Sequence, residues 1–372
     1  MQIPPFELER YFARYEFSAR YLLSSSDCES LALKDLLRMA NDQARRQWDE
    51  LKLGYTESLG HPRLREAIAG LYDGLGVEDT LVAVPEEGIF LLMHALLKPG
   101  DHVVCTFPGY QSLYEIPRAI GCRVSQWEPD EASGWQFDLD RLAALLRDDT
   151  RLVVVNFPHN PTGALPPPEA FEALIALLRQ RGIYLFCDEM YRGLEIEPDT
   201  ILPAACERYE RAVTLTGLSK AYGLPGLRIG WLASRDRKLI RRAAQLKDYT
   251  TICASAPSEI LAIMALDNRQ AIVASQLERL LANLERLETF MADHAESFYW
   301  QRPQGGSICF PGLRRPEGAE AFCRKLVEEK GIMLLPATPF QYGDRHVRIG
   351  FGRSNFPEVL HRFGDYLRMA DR

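Results

Sequence analysis

No stretch of the chain approaches the roughly 18 consecutive apolar residues that a membrane-spanning helix requires. The first residues, Met1-Gln2-Ile3-Pro4-Pro5-Phe6-Glu7, lack the basic segment and apolar core of a secretory leader. Neither membrane insertion nor secretion is expected. An excess of positive charge is also lacking: 44 Lys and Arg stand against 51 Asp and Glu, a formal net charge of −7. No overall basic field exists to hold nucleic acid. CxxC pairs are absent, and the eight cysteines (Cys28, Cys105, Cys122, Cys187, Cys206, Cys253, Cys309, Cys323) stand singly, without a histidine to complete a zinc set. They read as reduced, mostly buried thiols of a cytoplasmic protein, and no metal ligands are expected. Internal repeats, low-complexity tracts and a Gly/Ser linker are missing too. What remains is a 372-residue chain with 47% hydrophobic and 26% charged residues, an ordinary globular composition at a length that suits two domains.

From about Thr80 short β-branched runs alternate with helical patterns, the signature of βα units around a mostly parallel sheet. The expected strands are Thr80 to Val84, His102 to Thr106, Arg123 to Trp127, Leu152 to Asn156, Tyr184 to Cys187, Ala212 to Leu215 and Arg228 to Ala233. Gly88 to Leu97, Leu139 to Leu146 and Pro168 to Arg181 read as intervening helices. Val153-Val154-Val155 is apolar without alternation, as in a strand covered on both faces. After Ala256 a long helical region runs to about His294. Beyond it come a strand at Ser307 to Phe310, a helix near Ala319 to Glu329, and strands Ile332 to Leu335 and His346 to Phe351, a smaller α+β unit.

Three segments carry chemistry. In Leu218-Ser219-Lys220-Ala221-Tyr222-Gly223-Leu224-Pro225-Gly226-Leu227-Arg228 a lysine follows a strand inside a Gly/Pro-rich turn. A lysine amine is a useful nucleophile only once deprotonated, which partial burial and a nearby cation such as Arg228 encourage. Taken alone, such a pair is more often solvated surface charge. Val155-Asn156-Phe157-Pro158-His159-Asn160-Pro161-Thr162-Gly163 leaves a buried strand and turns sharply, where open α/β sheets place ligands. Asn160 offers an amide donor there, though an Asn-Pro turn that merely ends a strand is as good a reading. Tyr184-Leu185-Phe186-Cys187-Asp188-Glu189-Met190-Tyr191 puts an acid at the end of a buried strand. Asp188 then needs a cationic partner, unless it simply caps the next helix.

Together, in this order and separation, the segments resemble the fold type I pyridoxal-phosphate enzymes, in particular the class I/II aminotransferase family, over nearly the whole chain. The resemblance implies an α/β fold: a large domain with a mostly parallel seven-stranded sheet sandwiched by helices, plus a smaller α+β domain. The corresponding spans are 1–45 for an N-terminal arm and part of the small domain, 46–265 for the large domain and 266–372 for the small one. It also implies pyridoxal 5'-phosphate as cofactor. Lys220 matches the Schiff-base lysine, Asp188 the partner of the pyridine nitrogen, Tyr191 and Asn160 the donors to the phenolic oxygen. Arg228 matches the phosphate-binding arginine and Tyr110 the aromatic that stacks on the ring. Arg348, in His346-Val347-Arg348-Ile349-Gly350-Phe351, matches the arginine that grips the substrate α-carboxylate. Tyr55 matches a tyrosine that reaches the phosphate of a neighbouring subunit, which implies a homodimer with shared active sites.

The chain departs from the family pattern twice. Gly217 stands where Ser or Thr is common, leaving Thr216 and Ser219 as phosphate ligands. Val84-Pro85-Glu86-Glu87-Gly88 replaces a glycine and small hydroxyl residue, so the amides of Glu86 and Glu87 would have to cradle the phosphate. Other residues read as ordinary: His159 as a hydrogen-bonded loop histidine, Arg353 as surface charge, Lys247 to Thr251 as a helix end with a possible partner-subunit contact. Pro303-Gln304-Gly305-Gly306 reads either as a hairpin turn or as the family's turn near the substrate. The expected activity is transamination between an L-amino acid and a 2-oxo acid. An elimination or a capreomycidine-synthase-like cyclisation uses the same carbanion, and a non-catalytic cofactor-binding sensor is the reading from another class.

Overall fold

The computed structural model describes residues 2–370. Met1, Asp371 and Arg372, at the ends of the first and last expected spans, lie outside them. The central sheet has seven strands: β1 (Thr80–Ala83), β2 (His102–Thr106), β3 (Arg123–Trp127), β4 (Thr150–Asn156), β5 (Tyr184–Asp188), β6 (Ala212–Gly217) and β7 (Gly230–Ala233). Their spatial order is β1-β7-β6-β5-β4-β2-β3. All neighbours are parallel except β7, which runs antiparallel to both β1 and β6. The carboxyl ends of the other six strands and the amino end of β7 therefore share one edge.

Side-chain alternation fills both faces of the sheet. Leu152 and Val154 pack with Val103 and Cys105 on one face, and Val153 and Val155 pack with Val104 on the other. Helices cover each face, including Pro85–Leu96 and Pro168–Arg181, whose first-turn prolines lose no hydrogen bond there. Gly88 lets the first of these approach β6: a Cβ at this position would stand 3.1 Å from Leu215 Cδ1.

The smaller unit is assembled from both ends of the chain. Tyr21–Leu22 pairs in parallel with Ile332–Met333. Ile308–Cys309, Val347–Gly350 and Leu335–Pro336 form a three-stranded antiparallel sheet. Helices Arg269–Asp293, Ala319–Lys330 and Phe356–Ala370 pack around a core that includes Leu284, Phe322 and Phe363. The expected helical region after Ala256 is present, with a break, and one expected strand needs correction. The helical region after Ala256 is two helices, Ala256–Asp267 and Arg269–Asp293, broken at Asn268. The Asn268 amide donates to the carbonyls of Met264 at 2.8 Å and Met39 at 3.1 Å, a side-chain alternative to continued helix. The expected strand Ile332 to Leu335 is split, because the chain changes partner at Leu334 from the N-terminal segment to Val347–Gly350.

Candidate active site

The shared edge of the sheet opens into a cavity of about 370 Å³. Several of its walls come from strand ends. β4 and β5 run side by side with Asn156 opposite Asp188, and the Asn156 amide donates to the Asp188 carbonyl at 2.9 Å. Asn156 Oδ1 accepts from the Asn160 N–H at 2.8 Å, so one side chain fixes the turn that carries Asn160. β6 leads into Ser219 and Lys220, and the segment before β7 carries Arg228 in the left-handed region at φ +55°. The strand Val347–Gly350 supplies Arg348 from the smaller unit.

Lys220, Asp188, Tyr191, Asn160, Arg228, Ser219, Tyr110, Glu86 and Arg348 all line this cavity. Of the two candidate hydroxyls, Ser219 lines it, whereas Thr216 turns away and donates to the Glu189 carbonyl at 3.2 Å. The Glu87 side chain also turns away, accepting from the hydroxyls of Thr250 and Thr251 at 2.5 and 2.8 Å. Its amide remains in the first turn of Pro85–Leu96 beside that of Glu86, where unpaired N–H groups favour an anion. Tyr55 is not in this cavity. It is 92% exposed on the outer surface.

Electrostatics make the site reactive. Lys220 Nζ donates to Ser26 Oγ at 2.8 Å and lies 5.7 Å from the centre of the Tyr191 ring. Burial lowers the lysine pKa, Arg348 adds to the effect, and Asp27 and Asp188 oppose it. Burial likewise pushes Asp188 up to about 7, although the Met190 N–H and Lys220 pull the other way. Such a carboxylate is poised to take a cation beside it. Arg348 donates to Asn160 Oδ1 at 3.2 Å and to the Ser24 carbonyl at 2.9 Å. Among the described residues its Nε and the hydroxyl of Tyr191 are buried without a hydrogen-bond partner, with the Ser26 side chain beside that hydroxyl. Orphaned buried donors of this kind mark a place for a ligand.

Two oddities of the sequence turn out to be one packing arrangement. A Cβ at Gly217 would stand 2.9 Å from Gly230 Cα and 3.2 Å from the Pro85 ring, and one at Gly230 would meet that ring at 2.8 Å. Pro85 thus covers two facing glycines of β6 and β7, and a hydroxyl residue at 217 has no room.

Over residues 21–362 the chain matches the family model for aminotransferase class I and II. The chain belongs to this family. It is 32% identical over 353 residues to capreomycidine synthase from Streptomyces vinaceus, covering 94% of this chain and 90% of that one. A PLP-dependent aminotransferase from Streptococcus suis superposes with a TM-score of 0.94 at 30% identity over the full length of both chains. The PLP-dependent cyclase OrfR follows at 0.91 and 29%, covering 100% of this chain and 98% of that one. This aminotransferase-family enzyme has the α/β fold expected of it, with the mostly parallel seven-stranded sheet between helices.

Several residues of the site carried no sequence signal. Ser24, Ser25, Ser26 and Asp27 form a plain polar run, and Leu8, Glu9, Phe12 and Glu16 belong to the amphipathic N-terminal helix Glu7–Tyr15 and its C-cap. These are remote from Lys220 in the chain, yet they line the same cavity. Gly305 packs on the Asn160 turn, its N–H donating to the Gly163 carbonyl at 3.0 Å, and Gly306 packs on Tyr191, whose ring a Cβ there would meet at 3.3 Å. Arg353, expected as surface charge, instead makes a two-pronged pair with Asp27 at 3.0 and 2.9 Å. His159 is buried, bonded to Thr162 Oγ1 at 2.7 Å, and held neutral by burial with a pKa near 3.

Proposed function

We propose that this enzyme transfers an amino group between an L-amino acid and a 2-oxo acid, with pyridoxal 5'-phosphate linked to Lys220. The observation that carries the reading is the convergence of Lys220, Asp188 and Arg348 on one cavity, with the buried donors of Tyr191 and Arg348 left unpaired. These residues fit the cofactor. Asp188 would hold a proton on the pyridine nitrogen, Tyr110 would stack on the ring, and Tyr191 and Asn160 would donate to the phenolic oxygen. Asn160 Oδ1 already accepts from Arg348, which leaves its amide N–H groups as the donors it would offer a ligand. Arg228, Ser219 and the amides of Glu86 and Glu87 would hold the phosphate, with Tyr55 of a second subunit beside them.

When bound, the cofactor supplies the electron sink that makes the α-proton of an amino acid removable. The chain supplies position and proton transfer. Arg348 binds the substrate α-carboxylate and fixes the α-carbon near Lys220. Lys220, its basicity tuned by burial, takes the α-proton at Nζ and returns it as a general acid. A cation beside Asp188 would favour its charged form, and the carboxylate would in turn favour a protonated pyridine nitrogen. Lys220→Ala is expected to abolish turnover and the visible absorbance that the lysine–cofactor linkage gives; a variant that retains both refutes the assignment. Eight free thiols, seven of them buried, fit a reducing cytoplasm.

The likeness to capreomycidine synthase and to a PLP-dependent cyclase favours a second reading, in which the same deprotonation drives elimination or ring closure. A time course with and without added 2-oxo acid separates the two. Transamination stops after one equivalent of product without the oxo acid, whereas a cyclase or lyase continues.

A further inference from the structure

We propose that Glu131 and His346 are a positioning pair: they tie the large unit to the strand that carries Arg348 and so set the grip of Arg348 on the substrate carboxylate. The inference rests on the role given to Arg348 above. His346 immediately precedes the strand Val347–Gly350. Glu131 belongs to the other unit, in the connection between β3 and the helix Leu139–Leu145. Across the boundary the His346 Nε2–H donates to Glu131 Oε1 at 2.9 Å.

Both ends of this contact are held in place. Glu131 opens the short turn Glu131–Ser133, and the loop around it is closed by the Trp135 N–H to the Asp130 carbonyl and the Asp130 N–H to the Gln136 carbonyl, both at 2.9 Å. Gln136 Nε2 fastens the loop to the segment after the Asn160 turn, donating to the Leu165 carbonyl at 3.2 Å. Trp135 takes φ +64°, a left-handed conformation that is unfavourable for an aromatic residue. That conformation carries its ring into the smaller unit, 5.6 Å from His346, 5.7 Å from Tyr342 and 6.0 Å from Phe310. On the other side, the His346 carbonyl accepts from the Ala337 N–H at 2.8 Å and the Val347 N–H donates to the Pro311 carbonyl at 3.0 Å.

His346 is buried, and among the described residues Glu131 is the hydrogen-bond partner of its ring, Nδ1 having none. Loss of Glu131 leaves a buried N–H without an acceptor and favours a shift of the strand. Such a shift reaches the guanidinium by two routes. One is the backbone, in which Arg348 is paired opposite Leu335. The other is a row of rings: His346 stacks on Phe310 at 5.0 Å, Phe310 meets Phe340 at 5.8 Å, and Phe340 lies 5.7 Å from the Arg348 guanidinium carbon. The hydrogen bonds of Arg348 go to the neutral Asn160 side chain and Ser24 carbonyl, so packing carries much of its orientation. A two-pronged hold on a carboxylate depends on that orientation.

The test uses the cofactor-loaded enzyme and amino acids matched with the amines that lack only the α-carboxylate: L-arginine with agmatine, L-phenylalanine with phenethylamine, L-glutamate with 4-aminobutyrate. Binding is read by the change in cofactor absorbance, which needs no turnover. The unaltered enzyme is expected to favour at least one amino acid over its amine, and that ratio measures the grip of Arg348. In Glu131→Ala the ratio is expected to fall about tenfold, with the affinity for the amine and the absorbance of bound cofactor unchanged. Glu131→Gln keeps an oxygen for the imidazole and is expected to stay within about threefold of the unaltered enzyme. On an Arg348→Gln background, Glu131→Ala is expected to change the ratio no further, as for a residue that acts through Arg348. A ratio that Glu131→Ala leaves intact, an equal loss for amino acid and amine, or a loss that persists on the Arg348→Gln background overturns the inference and leaves the site assignment standing. If the unaltered enzyme favours none of these amino acids over its amine, the role of Arg348 itself fails and the inference falls with it.

Discussion

Asp188 shows what the cofactor site costs a single residue. An aspartate raised to about 7 by burial holds a proton that the unfolded chain has released by about pH 4. Folding therefore takes up a proton in that window, and the contribution of Asp188 to stability falls as pH rises from about 4 to 7. In cofactor-free protein, the melting temperature of the wild type relative to Asp188→Asn is expected to drop across this range. The buried histidines, present in both proteins, cancel in the comparison. Loading the cofactor is expected to remove the drop, because the cation then stabilises the carboxylate. A difference that is flat with pH in the stripped proteins would contradict the assignment. At this scale the sequence was informative only in combination. Lys220 beside Arg228 reads as surface charge until Asn160, Asp188 and Tyr191 are seen at the ends of neighbouring strands. Its actual bonding partner, Ser26, lies 194 residues away, and no local pattern marks a serine that will fold back that far.

The elements were more legible because their signal is local. Apolar runs such as Val153-Val154-Val155 and the prolines and glycines that bound the helices fix strands and helices by propensity and burial alone. What escaped was decided by partners: the strand that switches neighbours at Leu334 and the helix that breaks at Asn268, where an amide reaches carbonyls from two different helices. The junction of β6, β7 and the helix Pro85–Leu96 is of the same kind. Gly217 and Pro85 look like two separate departures from the family pattern until Gly230 is placed between them. Gly217→Ser, which would restore the common hydroxyl, is therefore expected to destabilise the cofactor-free protein by about 1–3 kcal/mol, read as a lowered melting temperature. Adding Pro85→Ala is not expected to rescue it, since the backbone of Gly230 and Ile229 still stands 2.9 Å from the new Cβ. A stable Gly217→Ser protein that binds cofactor more tightly would show that position 217 has room for a side chain after all.

For the whole molecule, the chain ends decide how the site is enclosed, and the outer surface decides whether one subunit suffices. The N-terminal segment is tied to both units: Gln111 donates to the Pro5 carbonyl at 2.9 Å, and the Tyr11 hydroxyl to the Leu334 carbonyl at 2.8 Å. The buried Lys247 donates through Nζ to the Ser58 carbonyl at 2.6 Å, and the Ser58 hydroxyl to Asp248 at 2.8 Å, joining two surface loops. These loops hold Tyr55, Tyr249 and Ile252, which are 92%, 90% and 51% exposed. Aromatic and aliphatic groups displayed together on ordered loops are characteristic of an interaction surface. A homodimer would bury them and bring Tyr55 to the phosphate of its neighbour. Sedimentation velocity is expected to show a two-chain species. Tyr55→Ala is expected to leave the melting temperature of the stripped protein unchanged while weakening cofactor retention roughly tenfold, the worth of one hydrogen bond to a charged group. Because the side chain touches little within its own subunit, loss of cofactor without loss of stability can only be transmitted across the interface. A fully active single-chain species with ordinary cofactor affinity would end the argument for a shared site.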